Sequence, residues 1–201
     1  MLMSEVVGIL LAAGSSRRFG SAKLLHSLPD GTPIGVAAAR ALINALPVSF
    51  AVVKPGDQPL IETFSDVGLQ VIENPLADQG MGTSLAAGVR ASIGAGGWLI
   101  ALADMPWVRP ATMSALVDRL YKGATIVAPV YGGRRGHPVG FSSYWGDDLR
   151  VLPGDEGARA VIAGNADRIE LLSTGDAGVL EDVDIPEDID VSRKPVENPY
   201  R

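Results

Sequence analysis

Short apolar runs alternate with stretches of helical periodicity along most of this chain. Val6–Leu11, Trp98–Ala103 and Thr125–Val130 have the length and composition of buried strands, whereas Ile34–Leu46 and Pro110–Tyr121 carry apolar residues at helical spacing. Repeated strand–helix units of this length predict an α/β fold in which a mostly parallel sheet is covered by helices on both faces. We therefore expect a three-layer α/β/α, Rossmann-like domain.

Weaker patterns of the same kind continue along the chain. They predict strands at Phe50–Val53, Leu69–Ile72, Pro138–Ser142, Arg168–Leu172 and Val179–Val183, and helices at Thr83–Ile93 and Glu156–Ala163. With 201 residues, of which 47% are hydrophobic, the chain can bury a core of its own as one unit. We expect a single domain over residues 1–190 and an exposed polar tail over residues 191–201.

The composition excludes several classes of protein. The sequence has no cysteine, which excludes disulfides, thiolate zinc sites, iron–sulfur clusters and cysteine nucleophiles. Its formal net charge of -6 argues against a protein that coats nucleic acid, although a local positive pocket can still bind a nucleotide. No apolar run reaches the roughly 20 residues of a membrane helix, and the first residues lack the basic start of a signal peptide. We expect a cytoplasmic protein whose partners include neither nucleic acid nor a membrane.

The predicted topology indicates where a ligand binds. In open parallel sheets, ligands bind beyond the carboxyl ends of the strands, at the point where the strand order reverses. The segments that follow predicted strands and carry polar or small residues are Gly14–Lys23, Asn74–Gly82 and Asp104–Pro106.

The first of these segments belongs to the sequence LAAGSSRRFGSAK, which runs from Leu11 to Lys23. A buried strand that leads into small residues lets backbone N–H groups approach a phosphate closely, and Arg18 and Lys23 can neutralise its charge. The spacing excludes two common phosphate loops, since there is neither a G-x-G-x-x-G pattern nor a glycine followed by Lys and Ser or Thr. The alternative is an ordinary surface loop with solvated arginines.

This motif resembles the signature of the nucleotidyltransferases that attach CMP or GMP to the molybdenum cofactor, within the wider NTP-transferase-like superfamily. The likeness extends from about Val6 to about Asp190. Further matches follow in the family's order: Glu73-Asn74-Pro75, Gly80-Met81-Gly82-Thr83-Ser84, Ala103-Asp104-Met105-Pro106, Gly136-His137-Pro138-Val139, Gly154-Asp155-Glu156-Gly157-Ala158-Arg159 and Asp182-Val183-Asp184-Ile185-Pro186.

The resemblance implies a reaction and its substrates. A nucleoside monophosphate passes from an NTP to the phosphate of molybdenum-bound molybdopterin, and pyrophosphate is released with Mg²⁺ as the metal. Cytidylyl members carry LAAG, as this chain does through Ala13, whereas guanylyl members carry LAGG, so CTP is expected and GTP is the alternative. The part up to about residue 130 is expected to bind the nucleotide and the remainder the molybdopterin. A transient contact with a molybdoenzyme or its chaperone is also implied.

The resemblance assigns the catalytic roles to Lys23, Arg18 and Asp104 and the metal to Asp104 and Asp184. Asp104 ends an apolar strand, where a carboxylate has no packing role, and Mg²⁺ prefers one or two carboxylates plus substrate phosphates. The alternatives are a helix cap for Asp104 and a turn residue before Pro186 for Asp184.

Other residues of the matched motifs are candidate contacts to the nucleotide or the pterin. They are Leu11, Ala12, Ala13, Gly14, Lys23, Asn74, Gly80, Gly82, Ser84 and His137. Asn74 can offer a donor and an acceptor to a base or ribose edge, and the alternative is a turn residue before a proline. The glycines and Ser84 equally describe a plain helix start, and His137 equally describes a structural histidine in a turn.

Three other functions share part of this pattern. A related nucleotidyltransferase that uses GTP, or that acts on a sugar phosphate or another small phosphate, would share the first loop and the metal aspartate. A glycosyltransferase of similar fold usually places a D-x-D pair at its metal, which Ala103-Asp104-Met105-Pro106 lacks. A non-catalytic carrier of the molybdenum cofactor would bind the pterin without turnover.

Overall fold

The computed structural model describes residues 5–14, 19, 22–154 and 157–189. Within these residues, eight strands form one sheet in the order β3-β2-β1-β4-β7-β5-β6, and β8 also pairs with β5. The strands are β1 (Val6–Leu11), β2 (Ser49–Val53), β3 (Gln70–Glu73), β4 (Gly97–Leu102), β5 (Ile126–Tyr131), β6 (Arg134–Arg135), β7 (Val139–Ser142) and β8 (Ile169–Ser173).

Helices connect most of the strands. They are α1 (Ile34–Ala45), α2 (Gln58–Val67), α3 (Met81–Ala91), α4 (Pro110–Tyr121), α5 (Gly146–Leu149) and α6 (Arg159–Gly164). Among the described residues, no helix combines the length and the apolar character that crossing a bilayer requires.

The sheet is mostly parallel, which confirms the predicted fold class. β1 lies parallel to both β2 and β4, β2 to β3, and β5 to β8. β7 is antiparallel to its neighbours β4 and β5, and the short β6 is antiparallel to β5. From β1 the chain moves outward to β2 and β3 and then returns to β4 on the other side, so the strand order reverses between β1 and β4. This crevice is where the topology rule places a ligand.

Two apolar layers separate the sheet from its helices. Successive side chains of a strand point to opposite faces, so Leu10 packs with the residues of α1 and α4 while Ile9 packs with those of α3. Both side chains have no exposed surface. The side chains of β1 and β4 are therefore apolar, and charged side chains appear after these strands end.

The structure differs from the predicted elements at several positions. The predicted strand Val179–Val183 is instead a 3-10 turn at Ala177–Leu180, because the carboxylate of Asp176 accepts a hydrogen bond from the backbone N–H of Gly178 at 3.1 Å. α2, α5 and β6 were not predicted, and α3 begins at Met81, before the predicted start at Thr83. The predicted tail, residues 191–201, lies outside the described residues.

Candidate active site

A cavity of about 640 Å³ opens at the carboxyl ends of β1, β2 and β4. It lies at the reversal of strand order described above. The residues that line it are Leu11, Ala12, Ala13, Gly14, Lys23, Leu24, Lys54, Ala77, Asp78, Gly80, Met81, Ser84, Leu102, Ala103, Asp104 and Asp184.

The backbone after β1 forms one wall of this cavity. The N–H of Ala12 donates to the carbonyl of Val52 at 2.9 Å, and the N–H of Ala103 donates to the carbonyl of Leu11 at 3.1 Å. These bonds continue the sheet pairing beyond the strand ends and fix the start of the loop. Ala12 and Ala13 are buried and Gly14 is exposed, so the chain passes from the core to the cavity within three residues.

A cluster of three charged side chains lies at the floor of the cavity. The ammonium of Lys23 donates to Oδ2 of Asp104 at 2.8 Å, and its Nζ lies 3.8 Å from Oδ1 of Asp184. The Lys23 side chain is 10% exposed, whereas those of Asp104 and Asp184 are 29% and 47% exposed. A nearly buried cation is thus held between two carboxylates that remain open to the cavity.

One backbone hydrogen bond explains why residues eighty positions apart meet here. The N–H of Val183, which is fully buried, donates to the carbonyl of Asp104 at 2.9 Å. The next residue is Asp184, whose own N–H is held by Oδ2 of Asp188 at 2.9 Å. The segment before Asp184 is therefore fixed against the end of β4, and the two carboxylates come together.

The two carboxylates suit a hard divalent cation. Mg²⁺ takes oxygen ligands and is usually bound by one or two carboxylates together with substrate phosphates. Within the described ranges, the structure contains no group of three or more His, Asp or Glu side chains that would hold a metal by themselves. Asp104 and Asp184 would therefore leave coordination positions for phosphate oxygens and water.

The opposite wall is built around a buried asparagine. The amide of Asn74 donates to the hydroxyls of Thr83 and Ser84 at 3.0 Å each, and its Oδ1 accepts from the N–H of Leu76 at 3.0 Å. Asn74 is 1% exposed. Both amide protons donate to hydroxyls inside the protein, so Asn74 holds the start of α3 in place. Asn74 is not among the residues that line the cavity, although the sequence predicted a contact to the nucleotide.

Gly82 also has a packing role. A side chain there would place its Cβ 2.7 Å from the carbonyl oxygen of Pro153 and 2.8 Å from that of Gly154. Its N–H donates to the carbonyl of Gly154 at 2.8 Å. Gly82 thus joins α3 to the loop before α6, and it does not line the cavity, in contrast to the predicted ligand contact.

His137 lies near the site without lining the cavity. Burial lowers the pKa of His137 and the charge of Arg135 lowers it further, while Asp104 and Asp182 act in the opposite direction. Its Nδ1 is buried and has no hydrogen-bond partner among the described residues. The predicted contact to the pterin stays a prediction.

The cavity brings together most of the predicted site residues. Those that line it are Leu11, Ala12, Ala13, Gly14, Lys23, Gly80, Ser84, Asp104 and Asp184. Arg18, to which the sequence assigned a catalytic role, lies outside the described residues.

Comparison with known families decides the class of protein. The family described as the MobA-like NTP transferase domain matches residues 8–170. The chain belongs to this family. It is an enzyme of the nucleotidyltransferase type, and the resemblance predicted from its motifs is confirmed.

Curated relatives of this MobA-like chain carry several names. It is 31% identical to the purine catabolism protein PucB of Bacillus subtilis, over 94% of this chain and 96% of PucB. It is 27% identical to the nicotine blue oxidoreductase of Paenarthrobacter nicotinovorans, over 90% of this chain and 93% of that protein. It is 26% identical to a probable molybdenum cofactor guanylyltransferase of Thermococcus sibiricus, over 61% of this chain and 60% of that protein.

A solved structure shares the architecture. Rv0371c of Mycobacterium tuberculosis superposes with a TM-score of 0.79 at 26% identity, covering 94% of this chain and 96% of that one. A manganese complex of Rv0371c also matches, with a TM-score of 0.75 at 25% identity over 92% of this chain and 96% of that one.

Two charged cavity residues of this MobA-like enzyme were not identified from the sequence. Nζ of Lys54 lies 2.6 Å from Oδ1 of Asp78, and both residues line the cavity. Lys54 directly follows β2, so the rule that was applied to the ends of β1, β3 and β4 would have found it at this fourth strand end. Asp78 lies inside the segment Asn74–Gly82 but has no distinctive spacing. The pair adds a donor and an acceptor at the exposed side of the cavity.

Proposed function

We propose that this enzyme transfers CMP from CTP to the phosphate of molybdenum-bound molybdopterin and releases pyrophosphate. The observation that carries the proposal is the cluster of Lys23, Asp104 and Asp184 at the floor of the cavity, beside the loop that follows β1. A cation and two carboxylates at this position suit a polyphosphate with its divalent metal.

The reaction requires alignment and charge neutralisation more than acid–base chemistry. A phosphate oxygen of the acceptor attacks the α-phosphorus of CTP, and the bond from that phosphorus to the oxygen bridging to the β-phosphate breaks. The acceptor phosphate is already anionic near neutral pH, so no general base is needed. The barrier arises from bringing two anions together, which the site lowers by orienting them and by offsetting their charge.

The chain's own residues supply both effects. Backbone N–H groups of the loop after β1 orient the triphosphate, and the ammonium of Lys23 neutralises part of its charge, together with Arg18 by its position in the motif. Asp104 and Asp184 would hold Mg²⁺, which would stabilise negative charge on the phosphate oxygens. The Mn²⁺ complex of Rv0371c supports a divalent metal in a related structure, and Mg²⁺ is our choice.

Ala13 supports cytosine as the preferred base. It is buried in the cavity wall, where its methyl group narrows the space that a glycine would leave. A smaller pyrimidine fits such a slot better than guanine, and a mismatched base leaves polar groups unpaired at a cost of roughly 1–3 kcal/mol. We further propose that Lys54 and Asp78 contact the base or the ribose, because their exposed ion pair costs little to rearrange.

The names of the relatives support molybdopterin as the acceptor but not CTP as the donor. A molybdenum cofactor guanylyltransferase among them supports a pterin acceptor and makes GTP the alternative to CTP. A sugar or other small-molecule phosphate is a second alternative acceptor. The non-catalytic carrier does not agree with the family, since the chain belongs to a family of nucleotidyltransferases.

The test is pyrophosphate release from each of the four NTPs with Mg²⁺, with and without molybdenum cofactor. We expect release that requires the cofactor and is fastest with CTP. Release of pyrophosphate with a sugar phosphate but not with the cofactor would replace molybdopterin as the acceptor. Binding of the cofactor without release of pyrophosphate from any NTP would contradict the proposed transfer to this acceptor. The variant Glu170→Gln, which breaks a surface ion pair with Arg119 away from the cavity, is the matched control and should behave as the wild type.

A further inference from the structure

Lys23 makes contacts that compete with a metal. Its ammonium is 2.8 Å from the carboxylate oxygen of Asp104 and 3.8 Å from that of Asp184. These are the two residues that we assign to the metal, and Lys23 is also the residue that we assign to the triphosphate. The side chain is 10% exposed, so few water molecules can take over its hydrogen bonds while it stays in place.

We propose that Lys23 occupies the metal-binding carboxylates until a nucleoside triphosphate draws it away, so that the metal binds tightly only together with the nucleotide. This inference rests on the proposed function of the site, and it adds an order of events that the function alone does not require.

Electrostatics gives the competition its direction. An ammonium in hydrogen-bond contact with Asp104 repels a second cation and uses the same lone pairs that a metal would need. A triphosphate offers this ammonium several anionic oxygens, and contacts of this kind are among the stronger hydrogen bonds in proteins. Once Lys23 binds phosphate, its ammonium no longer occupies the two carboxylates, and the phosphate oxygens would complete the coordination of a metal.

Linkage makes the effect measurable without turnover. If the triphosphate raises the affinity for the metal, the metal must raise the affinity for the triphosphate by the same factor. Couplings of this kind typically amount to about 5–150-fold. Removing the ammonium should abolish the competition, so that a single substitution strengthens the binding of the metal alone while weakening that of the nucleotide.

The experiment is titration of the full chain with Mn²⁺, followed by the paramagnetic signal of free Mn²⁺, with and without CTP and no acceptor present. The Mn²⁺–CTP complex is measured without protein and subtracted. The proteins are the wild type, Lys23→Met, Lys23→Arg and, as a matched loss of one lysine, Lys122→Met. Lys122 is exposed directly after α4 and does not line the cavity, so its loss changes the net charge equally without affecting the metal ligands.

We expect the wild type to bind Mn²⁺ at least about fivefold more tightly with CTP than without it. Lys23→Met should bind Mn²⁺ alone at least about fivefold more tightly than the wild type and gain less from CTP, whereas Lys23→Arg and Lys122→Met should bind Mn²⁺ alone as the wild type does.

Equal affinities for Mn²⁺ alone in Lys23→Met and the wild type would overturn the proposal, and so would a wild-type affinity that CTP leaves unchanged. The effect of CTP on the affinity of the wild type for Mn²⁺ is measured without any variant, so it tests the proposal even if Lys23→Met does not fold. If Mn²⁺ binds as expected but no nucleotide reaches molybdopterin, the acceptor in the proposed function fails and the role of Lys23 stands.

Discussion

Replacing Asp104 with asparagine separates its role in catalysis from its role in stability. The substitution keeps the shape of the side chain but removes its charge, and thereby the ion pair with Lys23 at 2.8 Å. A hydrogen bond between charged groups contributes about 1.5–3 kcal/mol to stability. Because the Asp104 side chain is 29% exposed and Asp184 still lies 3.8 Å from the ammonium, we expect a loss near the lower end of this range.

The expected effect on catalysis is larger. Asparagine is a weak ligand for Mg²⁺, and removing one group that stabilises charge in a transition state typically slows an enzyme about 10²–10³-fold. A hundredfold decrease corresponds to about 2.7 kcal/mol of lost transition-state stabilisation. We therefore expect Asp104→Asn to fold, to lose about 1.5 kcal/mol of unfolding free energy, and to lose at least about a hundredfold in kcat/KM.

Two assays check this prediction. Urea denaturation followed by tryptophan fluorescence measures the unfolding free energy, and pyrophosphate release at several Mg²⁺ concentrations measures turnover and its metal dependence. Glu170→Gln serves as the control for loss of an ion pair outside the cavity. A folded Asp104→Asn with wild-type turnover and unchanged metal dependence would refute the assignment of Asp104 to the metal.

Three further predictions concern the walls of the cavity and its surroundings. Ala13→Gly should relax a preference for CTP over GTP without reversing it, as measured by kcat/KM for each nucleotide, and an unchanged ratio would argue against contact of the base with this residue. Asn74→Ala should cost about 2–3 kcal/mol of unfolding free energy because it leaves buried hydroxyl and N–H groups unpaired, whereas a loss below about 0.5 kcal/mol would mean that water replaces the amide. The pKa of His137 is lowered in the folded protein, so the unfolded chain binds more protons as the pH falls below about 6.5. In urea titrations the wild type should therefore lose more unfolding free energy than His137→Gln between pH 7 and pH 5. Equal losses in the two proteins would contradict this expectation.

The strands and the loop after β1 were predictable because their signals are local. A short apolar run such as Val6–Leu11 is typical of a buried strand in an α/β protein, and the structure has a strand there. Pro110 predicts the start of a helix, and α4 begins at this residue. The mostly parallel sheet followed from the alternation of such runs with helices. The position of β7 between β4 and β5, antiparallel to both, could not be predicted, because the order of strands depends on long-range contacts that leave no local pattern in the sequence.

The candidate site shows the same division. Asp104 was identifiable as a carboxylate at a strand end, but Asp184 was identified through the family motif alone. Asp184 lies close to Asp104 because the backbone N–H of Val183 donates to the carbonyl of Asp104, a contact between residues far apart in the sequence. The hydrogen bonds from Asn74 to Thr83 and Ser84 were likewise not predictable, because these residues become neighbours only when α3 packs on the loop that follows β3.

The most direct test of the account is a competition assay. The enzyme is incubated with equal CTP and GTP, Mg²⁺ and molybdenum-bound molybdopterin, and the dinucleotide forms of the cofactor are quantified by mass spectrometry beside the pyrophosphate released. We expect mainly the cytosine dinucleotide, in an amount equal to that of the pyrophosphate. Mainly the guanine form would contradict the base assignment. Release of pyrophosphate with transfer of the nucleotide to another acceptor, and without any dinucleotide form of the cofactor, would contradict the proposed reaction.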